Sequence, residues 1–163
     1  VEAGDAPIAL KAFARAAPCQ PFLTLMRLDI WNLYTVQPYN NCYNYATNCI
    51  TNTLAQPGRR AGQIYTAIDC AEVSRAAEAD GCLPICHDLQ RTSALASWPG
   101  VDFHWWRLHA GDFWAQKLGW SLATNRDNSG RIIGNGLTPE NCNRFPYTVF
   151  CGYFHAPLAL QVI

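Results

Sequence analysis

Apolar and polar positions divide the first half of the chain into short segments typical of helices. Gln37-Pro38 interrupts the pattern, and Asn40 or Asn41 is a good N-cap for the helix that follows. Gln56-Pro57-Gly58 ends that helix, and Asp80-Gly81 ends the next one. The predicted helices are residues 6–17, 41–54 and 61–79, whereas residues 21–36 are apolar and could form a helix or a strand.

From Trp98 onward the pattern changes to runs of aromatic and β-branched residues that favour strands. Residues 101–108, 112–118 and 147–154 are the predicted strands. His109-Ala110-Gly111 is a candidate tight turn between the first two, because Gly111 can adopt a positive φ. Helices followed by an antiparallel sheet indicate an α+β fold.

Composition limits the class of protein. A length of 163 residues suits a single domain, and the balance of 12 basic and 12 acidic residues gives no electrostatic footprint for nucleic acid. No apolar run approaches the roughly 20 residues of a membrane span. We expect one domain, in which residues 1–36 form an N-terminal helical extension, residues 37–154 the core and residues 155–163 a tail.

Eight cysteines in this length indicate an oxidising compartment and a secreted, disulfide-stabilised protein. The chain starts at Val1 rather than Met, which suggests a processed mature form. Spacing alone leaves the disulfide connectivity open. Cys82 and Cys86, with His87 beside them, could suggest zinc, but no second Cys/His pair completes four ligands, so disulfides are favoured and no metal or organic cofactor is predicted.

Cys42 is the candidate nucleophile. It lies at the predicted start of the helix 41–54, where the backbone N–H groups and the helix dipole would lower a thiol pKa. The same N–H groups, with the side chain of Gln37, could stabilise an oxyanion. Cys42 could equally be half of a disulfide, and the sequence leaves both possibilities open.

His104 is the candidate base for Cys42. If the turn is centred on Ala110, His104 lies directly opposite Gln116, and Gln116 could orient the imidazole. The alternative for His104 is a histidine packed among the neighbouring aromatic residues, and Gln116 could be an ordinary strand residue. Asp127 is a rival orienting group, but its NRDNSG context is typical of a turn.

Six motifs, NNCYNYA, TNTLAQPG, DFHWWR, WAQKLG, TNRDNSG and YTVFCGYF, resemble those of small secreted bacterial proteins. The Cys-His-polar spacing is also similar to the NlpC and CHAP branches of the papain-like cysteine hydrolases. The resemblance implies a papain-like core, with a Cys-bearing helix packed on an antiparallel sheet. It also implies Cys42 as nucleophile, His104 as base and Gln116 as orienter, although the family usually has His, Asn, Asp or Glu at the third position.

We therefore expect a secreted thiol-dependent amide hydrolase, a cysteine peptidase or amidase acting on peptide or peptidoglycan. The alternative is a disulfide-stapled, non-enzymatic binding protein on the same fold, such as a lectin-like, defence or toxin module with a glycan ligand. A plain structural or storage protein is a third possibility. The candidate binding residues are Trp105, Trp106, Trp114 and Tyr43.

Overall fold

The computed structural model describes residues 23–85 and 91–163, and within them one six-stranded sheet has antiparallel pairing throughout. The strand order is β1-β6-β2-β3-β4-β5. The helices are short. The elements are α1 (Leu28–Trp31), a 3₁₀ helix (Gln37–Tyr39), α2 (Cys42–Thr47), α3 (Cys70–Asp80), β1 (Leu83–Ile85), β2 (Ser93–Trp98), β3 (Asp102–His109), β4 (Phe113–Lys117), β5 (Ala123–Thr124) and β6 (Val149–His155).

Both faces of the sheet are covered. Side chains alternate along β3, and this alternation shows which residues pack on each face. Phe103 and Trp105 pack on the side of α2 and α3, in a cluster that includes Tyr43. Trp106 and Leu108 point to the opposite face, where the irregular segment from residue 125 to 147 covers them. The near-continuous apolar run in β3 follows from this burial on both sides.

The helix that begins at Cys42 is held by asparagine side chains. The Asn41 side chain caps it by accepting hydrogen bonds from the backbone N–H groups of Tyr43 and Asn44. In turn, the side-chain oxygen of Asn44 accepts a hydrogen bond from the Asn41 N–H. Asn48 ends the helix after six residues by adopting a left-handed conformation, with φ of 58°. The chain beyond Asn48 then runs as a loop across the molecule.

The predicted fold class, an α+β papain-like core, is wrong. It required a helix over residues 41–54, but α2 stops at Thr47 and the dominant element is the six-stranded sheet. Asn40 and Asn44 explain the difference, because their side-chain carbonyls accept hydrogen bonds from the backbone N–H groups of residues 51, 52 and 55. These bonds satisfy the loop backbone without a helix.

The three predicted strands match β3, β4 and β6 within two residues at each end. β2 was missed, although it is central to the sheet and pairs with β3 and β6. Its sequence, SALASW, is rich in residues of low strand propensity. The predicted helix 61–79 is shorter than expected, since α3 begins only at Cys70, after the N-cap Asp69.

The predicted helix 6–17 lies outside the described residues, and the domain boundaries stay a prediction. Residues 155–163 are packed onto the sheet, with Leu160 and Val162 in the core. Within the described residues, one disulfide joins Cys70 in α3 to Cys151 in β6, and Cys42, Cys49, Cys82 and Cys142 carry free thiols.

Candidate functional site

A cleft of about 400 Å³ opens at the end of the sheet where β3 begins. The preceding turn contributes Val101, and α2 contributes its first residue, Cys42. The segment after β4 forms one side of the cleft. Strands β3 and β4 are paired as far as Trp106 and Gln116, and Gly119 and Trp120 lie beyond this last pair. The remaining lining residues are Asn41, Leu54, Gln56, Tyr65, Ile68, Asp102, Phe103, His104 and Tyr147.

Cys42 lines this cleft and carries a free thiol, and the residue as a whole is 8% exposed. Burial raises the pKa of Cys42 to about 12, which outweighs the lowering by nearby backbone N–H groups of Trp105 and of the helix start. The predicted lowering of this pKa is therefore wrong. At neutral pH the side chain is a protonated thiol, which is a poor nucleophile.

His104 and Gln116 meet, although not in the predicted register. The hairpin is centred on Gly111, so Gln116 lies opposite Trp106 rather than His104. A shift of two residues keeps His104 and Gln116 on the same face as diagonal neighbours. The Nε2 atom of His104 and the Oε1 atom of Gln116 are 2.9 Å apart.

His104 is buried and packs against two aromatic rings. Its imidazole stacks on Tyr147 at 5.1 Å and meets the edge of Trp106 at 4.4 Å. Burial lowers the pKa of His104 to about 3, and the bond to Gln116 offsets this only in part. The imidazole is therefore neutral at physiological pH. The alternative of a histidine packed among aromatics describes this environment.

The arrangement does not couple Cys42 to His104. Cys42 packs on the Phe103 and Trp105 face of the sheet, whereas His104 points to the opposite face with Trp106. Among the described residues no hydrogen bond joins the two side chains. Gln37 is engaged elsewhere, since its Nε2 donates to the backbone carbonyl of Trp120. The catalytic roles assigned to these residues therefore stay a prediction without support from the geometry.

The predicted binding aromatics lie in the interior. Trp105, Trp106, Trp114 and Tyr43 are each at most 1% exposed, so a ligand outside the fold cannot reach their rings. The cleft instead presents Trp120, which is 71% exposed, with Tyr65 and Tyr147 on its walls. A sequence signal existed for Trp120, because it follows Gly119 just after the end of a strand, where loop side chains reach solvent.

Hydrogen bonds fix the two tyrosine side chains that line the cleft walls. The hydroxyl of Tyr147 donates to Asp102 Oδ2 at 2.9 Å, and that of Tyr65 donates to Gln56 Oε1 at 2.8 Å. Tyr65 also meets Phe103 edge to face, with ring centroids 5.2 Å apart. The cleft walls are therefore held in place without a ligand.

Lys117 connects two segments next to the cleft. Its side chain is fully buried, and Nζ donates to the backbone carbonyls of Gln37, Asn40 and Gly119. Burial lowers the pKa of Lys117 to about 8. Below that pH all three N–H groups are available to join the segment before α2 to the segment that carries Trp120.

Asp127 acts as the organiser of its loop rather than as a partner of His104. Its carboxylate accepts from the backbone N–H groups of Ser129, Arg131 and Asn143. The Arg131 guanidinium forms an ion pair with it at 2.8 Å. The turn interpretation of NRDNSG is confirmed.

No group of three or more His, Cys, Asp or Glu side chains that could hold a metal ion occurs in residues 23–85 and 91–163. Cys86 and His87, the residues that raised the zinc question, fall outside those ranges. No helix in the described part of the chain is long and apolar enough to cross a membrane.

Comparison with known proteins gives one informative relative. The chain is 41% identical over 133 residues to insoluble matrix shell protein 1 of Ruditapes philippinarum, covering 80% of this chain and 88% of the relative. No protein-family model matches the chain, and no solved structure matches it.

This relative overturns the resemblance to bacterial papain-like hydrolases, because it is a molluscan shell matrix protein. The hydrolase and thiol-protease interpretation is therefore wrong, and the non-enzymatic alternative fits better. The predicted kinship was wrong because it rested on short motifs around a cysteine and a histidine. Such motifs fix the spacing of the residues along the chain, but they do not determine on which face of the sheet each residue lies. At this identity and coverage, the chain belongs to the family of insoluble matrix shell protein 1.

Proposed function

We propose that this protein is a non-enzymatic structural component of an extracellular insoluble matrix, in which it binds other matrix components. The observation that carries the proposal is the 41% identity to a shell matrix protein over 88% of that relative's length. Similarity of this extent along most of both chains is more than a shared motif.

The chemistry of the cleft supports a role without catalysis. Cys42 is a protonated thiol at neutral pH, and His104 is a neutral imidazole that packs against Trp106. A cysteine hydrolase needs the thiol and the base within hydrogen-bonding reach, with the thiol readily ionised. Among the described residues no hydrogen bond joins the thiol to the imidazole, and burial raises the pKa of the thiol, which supports a role without catalysis.

An extracellular location is supported by the cysteine content. Eight cysteines in 163 residues, with a disulfide between Cys70 and Cys151, suit an oxidising compartment. A disulfide between α3 and β6 also suits a protein that must persist outside the cell, because the covalent link restricts unfolding.

Fractionation of the tissue that makes the protein tests this role. An antibody raised against the recombinant chain should detect the protein in the extracellular matrix by immunogold labelling. It should also detect it in the residue that stays insoluble after extraction with salt, detergent and chelator. Detection only inside cells, or only in the soluble extract, would contradict the proposal.

The absence of catalysis is tested separately with Cys42→Ser. The wild-type protein and the variant are incubated with fluorogenic peptide amides and with peptidoglycan, and product release is measured. We expect the same background rate for both. Hydrolysis by the wild type that is abolished in Cys42→Ser would show an enzyme and would remove the non-enzymatic part of the proposal.

A further inference from the structure

We propose that the cleft at the start of β3 binds one strand of an uncharged polysaccharide, with Trp120 as the exposed platform for a sugar ring. This inference rests on the proposed function, since it names the matrix component that the protein would bind. The volume of about 400 Å³ lies within the range of about 300–1,000 Å³ seen for ligand sites.

The aromatic rings of the cleft have the arrangement that a sugar requires. Trp120 stands at the rim with 71% of its surface exposed, and Tyr65 and Tyr147 are partly buried on the walls. A pyranose ring has two faces of C–H bonds and an edge of hydroxyls. Large, amphipathic aromatic rings can cover those faces and leave the hydroxyls to polar partners.

The rings are also preorganised. The cleft walls are fixed before any ligand arrives. The two tyrosine hydroxyls are hydrogen-bonded, Tyr147 stacks on His104, and Lys117 donates to the backbone carbonyl of Gly119. Binding therefore costs little ordering of the protein side of the contact.

Asp102 supplies the polar partner for sugar hydroxyls. Its Oδ2 accepts from Tyr147 and its Oδ1 from the backbone N–H of Phe103, and a carboxylate has about four acceptor positions. The remaining positions can accept hydrogen bonds from sugar hydroxyls. The tyrosine hydroxyls, which donate to Asp102 and Gln56, can still accept from a ligand.

Charge selects an uncharged polymer over an acidic one. Asp102 is the charged residue among those that line the cleft, and no Lys or Arg is among them. His104 is neutral because of its lowered pKa. A sulfated or uronic-acid polymer would meet a carboxylate with no cation in the cleft to offset it, which disfavours binding.

Isothermal titration with soluble oligosaccharides tests the site. The folded full chain is titrated with chitohexaose and cellohexaose as uncharged probes, and with heparin oligosaccharide as the sulfated probe. We expect at least one uncharged probe to bind and heparin not to bind. Trp120→Ala should weaken the binding at least tenfold, because it removes the platform and leaves the interior untouched.

Trp98→Ala is the matched control, since Trp98 is also exposed, at 42%, but is not part of the cleft lining. It should bind within twofold of the wild type. Asp102→Asn should weaken binding several-fold while Tyr147 stays in place. Thermal melting confirms that each variant is folded.

Several results would overturn the proposal: no binding of either uncharged probe by the folded wild type, equal binding by Trp120→Ala, or binding of heparin alone. Retention of the protein on gelatin but not on either oligosaccharide would assign the cleft to a polypeptide and would also overturn it. These failures are distinguishable from failure of the proposed function. A protein found in the insoluble extracellular fraction that ignores both sugars keeps its matrix role and loses only this ligand.

Discussion

Cys42 and His104 show how burial decides the chemistry of a single side chain. Each residue type suits a nucleophilic site, yet the interior shifts both pKa values toward the uncharged form. The cost of placing a charge in a low-dielectric environment exceeds the help from the start of α2 and from Gln116. In an exposed site the thiol would titrate near pH 8.5 and the imidazole near pH 6.5.

The thiol of Cys42 should react slowly in the native protein. The raised pKa keeps the thiolate fraction small at pH 8, and only 8% of the residue is exposed. Native protein is treated with iodoacetamide and analysed by peptide mass spectrometry. We expect Cys49, which is partly exposed, to be labelled well before Cys42.

The labelling experiment carries its own control. The same reaction in denaturant should modify both cysteines at similar rates, because unfolding removes the burial. Rapid labelling of Cys42 in the native protein near pH 6 would contradict the structure.

His104 should make the fold sensitive to acid. Its pKa is about 3 when folded and near 6.5 when exposed, so below pH 6.5 the unfolded chain takes up a proton that the folded chain does not. The stability that is present above pH 6.5 is therefore lost as the pH falls toward 3. The expected loss is about 1.4 kcal/mol for each pH unit well below 6.

Urea unfolding at pH 7, 5.5 and 4 measures this dependence. His109 adds to the slope in the same direction, because burial lowers its pKa to about 4. His104→Gln should therefore reduce the slope without abolishing it. A slope that is unchanged in His104→Gln would show that His104 does not titrate as described.

At the scale of elements, asparagine side chains hydrogen-bond the backbone of the segment after Thr47, which was predicted to be helical and is a loop. Asn44 is fully buried, and its side chain bonds to the backbone of Asn41, Cys49 and Ala55 and to the hydroxyl of Thr51. One residue thus joins the cap of α2 to the loop that follows it. The loop then forms one wall of the cleft through Leu54 and Gln56.

Asn44→Ala should lower the free energy of unfolding by about 3 kcal/mol, because it leaves several buried backbone groups without partners. Asn125→Ala is the matched control at a partly buried loop position and should cost less than about 1 kcal/mol. Chemical denaturation of both variants measures the difference. A loss below about 1 kcal/mol for Asn44→Ala would mean that water replaces these bonds.

At the scale of the whole molecule, the disulfide between Cys70 and Cys151 ties α3 to β6 across a separation of 81 residues. It joins an element from the first half of the chain to the closing strand. A link across so long a loop restricts the unfolded chain strongly.

Replacing both cysteines by alanine should therefore lower the free energy of unfolding by about 4 kcal/mol. Urea unfolding of the double variant and of the oxidised wild type gives the value. The wild type in reducing buffer is the control and should approach the double variant. A double variant as stable as the oxidised protein would contradict this role of the link.

Strands β3, β4 and β6 could be predicted from the sequence, whereas β1, β2, β5 and the candidate site could not. β3, β4 and β6 carry aromatic and β-branched runs that a local pattern reveals. β2 carries Ser and Ala and is a strand only because β3 and β6 flank it. Gln116 was correctly placed near His104 although the register was shifted by two residues, because the face is preserved by an even shift.

The sequence by itself determined the strand-rich second half, an asparagine N-cap at position 40 or 41, the stop at Gly81 and the turn around Asp127, because each depends on residues close together in the chain. Only the tertiary structure decided which face of the sheet His104 occupies, that Cys42 is protonated and that Trp120 rather than Trp105 meets solvent. Burial and ionisation depend on what packs against a residue from distant segments, and local patterns do not contain that information.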